Sequence, residues 1–176
     1  VVDGTNATEM TIKNINVESM VVDLANYSFT SNNAGLVSGA VSAIYNKKCT
    51  LENVNVNNIV VNATYTGRVS GLVDYNEGTI LNSSVSGLLK GAYVAGLVYN
   101  NQGTVKFDTN FANEYAVDVN INAMMYAGGI AVENYGTIEG SENLTKVKAI
   151  IGWTPVNKTN FDADADKIML AGAVTF

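Results

Sequence analysis

The sequence predicts an all-β chain wound as a parallel β-helix, a β-solenoid, of about five to six rungs. Three observations predict it. A nine-residue pattern recurs along the chain, short stretches of period-two alternation lie between Asn or Gly corners, and no convincing helical period runs over about 11 residues. Only Asn113 to Asn122 is ambiguous between helix and strand, so a βαβ fold, whose parallel crossovers need helices, is disfavoured. Apolar residues make up 47% of the chain and charged residues 15%, which excludes a disordered, solvating segment.

In chain order, the first element is Thr11-Ile12-Lys13-Asn14-Ile15-Asn16-Val17, which matches Thr50-Leu51-Glu52-Asn53-Val54-Asn55-Val56 almost position for position. Residues 42–50 are a weaker copy of the nine-residue pattern, with Ser42 and Cys49 in its two Gly positions and Lys47 where Asn stands elsewhere. After Val56 the run Ile59-Val60-Val61 predicts a further strand, with Asn57-Asn58 as the corner between. The clearest copies are Gly71-Leu72-Val73-Asp74-Tyr75-Asn76-Glu77-Gly78-Thr79 and Gly96-Leu97-Val98-Tyr99-Asn100-Asn101-Gln102-Gly103-Thr104. Gly129-Ile130-Ala131-Val132-Glu133-Asn134-Tyr135-Gly136-Thr137 keeps the first Gly, the Asn, the second Gly and the Thr.

In each copy Asn-x-Gly-Thr reads as turn chemistry, because Gly accepts positive φ without steric cost and Asn tolerates it. The small residues before the first Gly, Ser70, Ala95 and Gly128, mark close backbone approach. After each Thr comes an aliphatic residue, Leu51, Ile80, Val105 or Ile138, and alternation turns it inward while Thr and the following residue face water. These four are expected to pile into one interior column. The threonines Thr11, Thr50, Thr79, Thr104 and Thr137 stand 25 to 39 residues apart, the spacing of stacked units with loops of unequal length.

Gly71-Leu72-Val73 through Asn76, Gly78, Thr79 and Ile80 resembles the GLUG repeat of secreted and surface-attached bacterial proteins, some of them adhesin-like. The resemblance covers about residues 34–140. It implies a right-handed β-solenoid and an exported location, and it implies no catalytic residues. Residues 1–145 are read as the repeats and residues 146–176 as a C-terminal cap or the start of a following module, because Ile150 to Pro155 and the Asp-rich stretch after Phe161 leave the pattern.

The formal charge is −6 and Arg68 is the single arginine, so no basic patch forms and nucleic acid is not an expected partner. No run of 18 apolar residues is present, so no membrane insertion is expected from this stretch. The chain opens on Val1 without a signal-like start, and an export signal and anchor are expected outside it, with an extracellular or cell-surface location. There is no His, and Cys49 is the single cysteine, which removes the commonest general base, a disulfide framework and a thiolate metal site.

Candidate chemistry is sparse. Asp162, Asp164 and Asp166 alternate as the start of a calcium loop would, but Lys167 stands where the sharp turn needs Gly, and a solvated edge is the plainer account. Asp74 and Glu77 are the nearest thing to a carboxylate pair, and turn-side solvation explains them. One Thr per repeat, followed by Lys13, Glu52, Leu81, Lys106 or Glu139, does not make an ice-binding face.

The tyrosines Tyr45, Tyr65, Tyr75, Tyr93, Tyr99, Tyr115, Tyr126 and Tyr135 read as rings stacked between rungs before they read as a binding face. Trp153 reads as cap packing, and sequons begin at Asn6, Asn26, Asn62, Asn82, Asn143 and Asn157. No catalytic, cofactor-binding or metal residue is assigned. The expected role is a structural or adhesive segment facing a host or matrix protein or a glycan; the alternative is a carbohydrate-binding or polysaccharide-processing β-helix.

Overall fold

The computed structural model describes residues 2–6, 9–23, 35–38, 45–63, 67–109, 111–140, 144–152 and 169–171. In chain order the strands are β1 (Val2–Asp3), β2 (Thr11–Glu18), β3 (Val21–Asp23), β4 (Gly35–Ser38), β5 (Tyr45–Lys47), β6 (Thr50–Asn62), β7 (Gly67–Ser70), β8 (Val73–Asn76) and β9 (Thr79–Leu81). They continue with β10 (Ser84–Ala95), β11 (Val98–Asn101), β12 (Thr104–Lys106), β13 (Val117–Gly128), β14 (Ala131–Asn134), β15 (Thr137–Glu139), β16 (Thr145–Ile151) and β17 (Met169–Ala171).

The described residues contain no helix, and every strand pairing among them is parallel. The fold is therefore all-β with parallel sheets. One sheet has the order β1-β5-β8-β11-β14, and the larger carries β15-β12-β9-β6-β10-β13-β16, with β2, β3, β4, β7 and β17 joined to it. Of the stretch ambiguous from sequence, residues 117–122 are strand, the start of β13, and Asn113 in the bend ahead of it donates to Asn55 Oδ1 and Ser84 Oγ at 3.1 and 2.9 Å.

Alternation places the aliphatic column as expected. Ile12 pairs with Leu51, Leu51 with Ile80, Ile80 with Val105 and Val105 with Ile138. Leu51, Ile80, Val105 and Ile138 are all buried in one core with Val54, Val56, Ile59 and Val61. Each fully covered aliphatic side chain contributes roughly 1.5–3 kcal/mol, so most of the stability lies along such columns.

Corners are set by left-handed residues, some of them inside long strands. Asn14, Asn53 and Asn82 take φ of 59°, 52° and 48°, and Asn58 takes 54°, so the Asn57-Asn58 corner exists although β6 runs through it without a break. Asn adopts this region more cheaply than other residues with a Cβ because its short amide bonds locally. In the next turn Gly87, paired with Ile59, takes φ 136°, and a Cβ there would run into Ile59 O.

The motif glycines have a different cause from the one expected. Among the described glycines only Gly87 and Gly152 have positive φ, so Gly78, Gly103 and Gly136 are not there for left-handed backbone. A Cβ on Gly103 would collide with Gly78 O, and one on Gly136 with Gly103 O. Gly71 and Gly96 are barred in the same way by Gly96 O and Gly129 O. At these positions glycine is needed because stacked backbones touch there.

The motif asparagines form a ladder. Asn46 Nδ2 donates to Asn76 Oδ1, Asn76 Nδ2 to Asn101 Oδ1 and Asn101 Nδ2 to Asn134 Oδ1, each at 2.8 Å. The same amides bond the carbonyl that closes their own turn, at Cys49 (3.1 Å), Gly78 (3.2 Å), Gly103 (3.4 Å) and Gly136 (3.3 Å). This corrects the gapless reading of residues 42–50: Asn46, not Lys47, holds the Asn position, paired with Asn76. Lys48, at φ 57°, is the extra residue that restores register by Thr50, while Cys49 does stand in the Gly78 column. Ser42 lies outside the described residues.

Strand pairing crosses residue 145, where the sequence pattern ends. β16 pairs with β13 from Thr145 to Ile151, and β17 pairs with the end of β13. Here alternation alone suffices, without the Asn and Gly of the motif.

Candidate functional site

Strands β7 and β8 flank the bend at Gly71-Leu72, and their outward side chains converge across it. Arg68 on β7 pairs in register with Tyr93 on β10, which pairs with Tyr126 on β13. Tyr99 on β11 stands opposite Asp74 on β8, because Val73 pairs with Val98 and Tyr75 with Asn100. The result is a cluster of one cation, two carboxylates and three rings.

Arg68 Nη2 lies 3.0 Å from Asp74 Oδ2, and its guanidinium sits 4.9 Å from the centre of the Tyr99 ring. The Tyr99 hydroxyl donates to Glu133 Oε1 at 3.4 Å, and Asn100 Nδ2 donates to Glu133 Oε2 at 2.5 Å. Tyr93 meets Tyr99 edge-on at 6.4 Å and stacks on Tyr126 at 5.3 Å. Asp74 is 1% exposed, and its Oδ1 has no hydrogen-bond partner, as is also true of the buried Ser70 Oγ. Glu77 is exposed, so the two carboxylates adjacent in sequence do not form a pair, and solvation does not explain Asp74.

Burial pushes the Asp74 carboxyl up to about 6; Arg68 pulls it down and Glu133 pushes it further up. Burial also raises the Tyr99 phenol, with Glu133 adding to the rise, so the ring stays neutral. Asp74 on β8 and Glu133 on β14 flank β11, Asp74 opposite Tyr99 and Glu133 in register with Asn100, so their strands lie two spacings, about 10 Å, apart. Asp74 itself is closed off from solvent by its neighbours. The chemistry fits a buried carboxylate paired with a partly exposed guanidinium and braced by aromatic rings.

One consequence is a pH-dependent stability. Unfolded, Asp74 titrates at about 3.9; folded, it titrates at about 6. Between these values the native chain holds a proton that the unfolded chain has released, so this group's contribution falls as pH rises through the window and is level above it. The stability difference between wild type and Asp74→Asn is expected to change by on the order of 2 kcal/mol between about pH 4 and about pH 7. Urea unfolding at several pH values reads it; a difference independent of pH would refute the role given to Asp74.

The other candidates scatter. Tyr45 meets Tyr75 edge-on at 5.1 Å, and a hydrogen bond to Glu77 leads the causes that push its phenol up to about 12. Tyr135 is exposed, and Lys146 lies over the Tyr115 ring. Of the sequons, Asn6 is exposed, while the Asn62 and Asn82 amides donate to Asp23 and Asp108. Tyr65, Trp153, Pro155, Asp162, Asp164, Asp166, Asn26, Asn143 and Asn157 lie outside the described residues. Among the described residues no group of three or more His, Cys, Asp or Glu side chains is placed to hold a metal ion.

Fold and site together define an all-β chain of stacked repeats on parallel sheets. No protein-family model, curated protein or solved structure matches it.

Proposed function

We propose that the chain is a right-handed parallel β-solenoid of GLUG-type repeats, about five to six turns long, serving as a structural or adhesive segment of a secreted or cell-surface bacterial protein. The observation that supports this reading is that each motif position stacks on its own copies: Asn on Asn, Gly on Gly, and the aliphatic residue after Thr on its counterpart. At about 4.8 Å per strand, such a stack is a rod on the order of 25 Å long. The role is non-enzymatic, because the carboxylate with the most altered proton affinity, Asp74, is closed off by its neighbours.

A second reading, a carbohydrate-binding or polysaccharide-processing β-helix, draws on the partly exposed pair Tyr93 and Tyr126. An array of glycans and extracellular-matrix proteins probed with the purified chain tests the choice. Binding to a host or matrix protein or to a glycan, without turnover, is the expected result for adhesion, and a blank array is expected for a spacer. Cleavage of a polysaccharide would overturn the non-enzymatic role.

A further inference from the structure

We propose that the depression beside the Asn57-Asn58 corner binds one neutral pyranose ring, within a glycan or at its end. This gives the adhesive role a place and a ligand class, and it rests on that reading. The depression has a volume of about 360 Å³, at the small end of the ~300–1,000 Å³ usual for small-ligand sites. Asn58, Val60, Ser86, Leu88, Asp118 and Asn120 line it. They stand on β6, β10 and β13, each of which is paired along both flanks, so the site lies within the stack and not at its end.

A bulge shapes the depression. Val85 pairs with Val56 and Gly87 with Ile59, so Asn57 and Asn58 together oppose Ser86 alone. Bulges are rare between parallel strands, and they re-aim side chains. Ser86 Oγ accepts the Asn58 N–H at 3.0 Å, while Asn57 Nδ2 turns to Glu18 Oε1 at 2.7 Å. Elsewhere on these strands outward carboxamides are tied to the next turn: Asn53 donates to Asn14, Asn55 to Asn16 and Asn62 to Asp23. Asn58 and Asn120 are exposed, and among the described residues neither carboxamide has a hydrogen-bond partner.

The lining is two-sided in its chemistry. Val60 pairs with Leu88, both partly exposed, and Leu88 with Asn120, so two aliphatic side chains lie next to a free amide. Adjacent aliphatic groups suit the C–H face of a sugar ring. Its hydroxyls each donate and accept, as a carboxamide does with its NH₂ and its oxygen. Asp118, in register with Ser86, is matched by Lys146 at 3.4 Å, so the lining holds no unbalanced charge to select a phosphate or a carboxylate. A wholly apolar ligand would cover the two amides without pairing them, which is unfavourable.

Amide chemical shifts of the isotope-labelled full chain, titrated separately with glucose, galactose, mannose, N-acetylglucosamine and glucuronate, test the proposal. At least one of the four neutral sugars is expected to shift the amides of Asn58, Gly87, Leu88 and Asn120 saturably, with a dissociation constant on the order of 1 mM for a single ring. Glucuronate is expected to bind no more tightly than that sugar. Asn120→Ala is expected to weaken binding by about three- to tenfold. Asn58→Gly, which keeps the left-handed corner while removing the amide, is expected to do the same, and circular dichroism checks that each variant folds. Four neutral sugars that leave these amides unmoved, tighter binding of glucuronate, or unchanged affinity in either folded variant would overturn the site. A silent titration from a chain that still captures a matrix protein on the array would remove this site and leave the adhesive role standing.

Discussion

Gly103→Ala is expected to destabilise the chain by about 3 kcal/mol or more, among the largest effects of any single methyl group here. The added carbon has no flexible neighbour to displace: it meets Gly78 O and the adjoining main chain of Glu77 and Gly78. Relief requires parting two stacked backbones, which breaks the Gly103 N to Asn76 O and Thr104 N to Gly78 O hydrogen bonds, both 2.9 Å. Helix or strand propensity alone favours Ala over Gly by up to about 1 kcal/mol, so the prediction runs against the local preference. Equilibrium urea unfolding measures it. An alanine variant as stable as wild type would mean that the stacked turns do not touch at this column.

The second large effect is expected at the centre of the asparagine ladder. Asn101→Ala leaves the Asn76 amide without its 2.8 Å acceptor and the Asn134 Oδ1 without its 2.8 Å donor. It also removes bonds to the carbonyls of Gly103 and Thr137. A buried group left unpaired costs about 1–3 kcal/mol, so a loss of roughly 3 kcal/mol is expected. Asn134→Ala, at an exposed end of the same ladder, is expected to cost less than about 1 kcal/mol. The contrast between these two variants in one denaturation series is the test; equal losses would show that the ladder is not a cooperative row.

Much of the fold was legible because its determinants are local. The inward column could be read from Thr followed by an aliphatic residue, since period two fixes which side chain turns inward. The Asn57-Asn58 corner was legible for the same reason, Asn being one of the few residues with a Cβ that takes φ 54° cheaply. What failed depends on contacts between turns. Gly78, Gly103 and Gly136 looked like bend residues, whereas their reason is the backbone of the neighbouring turn, some 25 or more residues away in sequence.

The one-residue shift at Asn46 escaped a gapless alignment, although Tyr45-Asn46 repeated Tyr75-Asn76 and carried the signal. β16 escaped because Thr145 to Ile151 has the alternation without the motif. At the candidate site the rings were read as stacked, and Tyr93 and Tyr126 do stack. Asp74 was misread as solvated because its partner Arg68 lies across a bend that no local pattern announces.

The carboxamide row has a direction: from Asn46 to Asn134 each NH₂ reaches toward the C-terminal neighbour, and Asn46 Oδ1 at the start has nothing to accept. Deleting or duplicating one whole unit brings a fresh donor to a fresh acceptor and the row closes without a scar, whatever the length of the intervening loop. Excising half a unit, or reversing one, would set oxygen against oxygen. Evolution can lengthen or shorten such a molecule only in complete, like-facing steps.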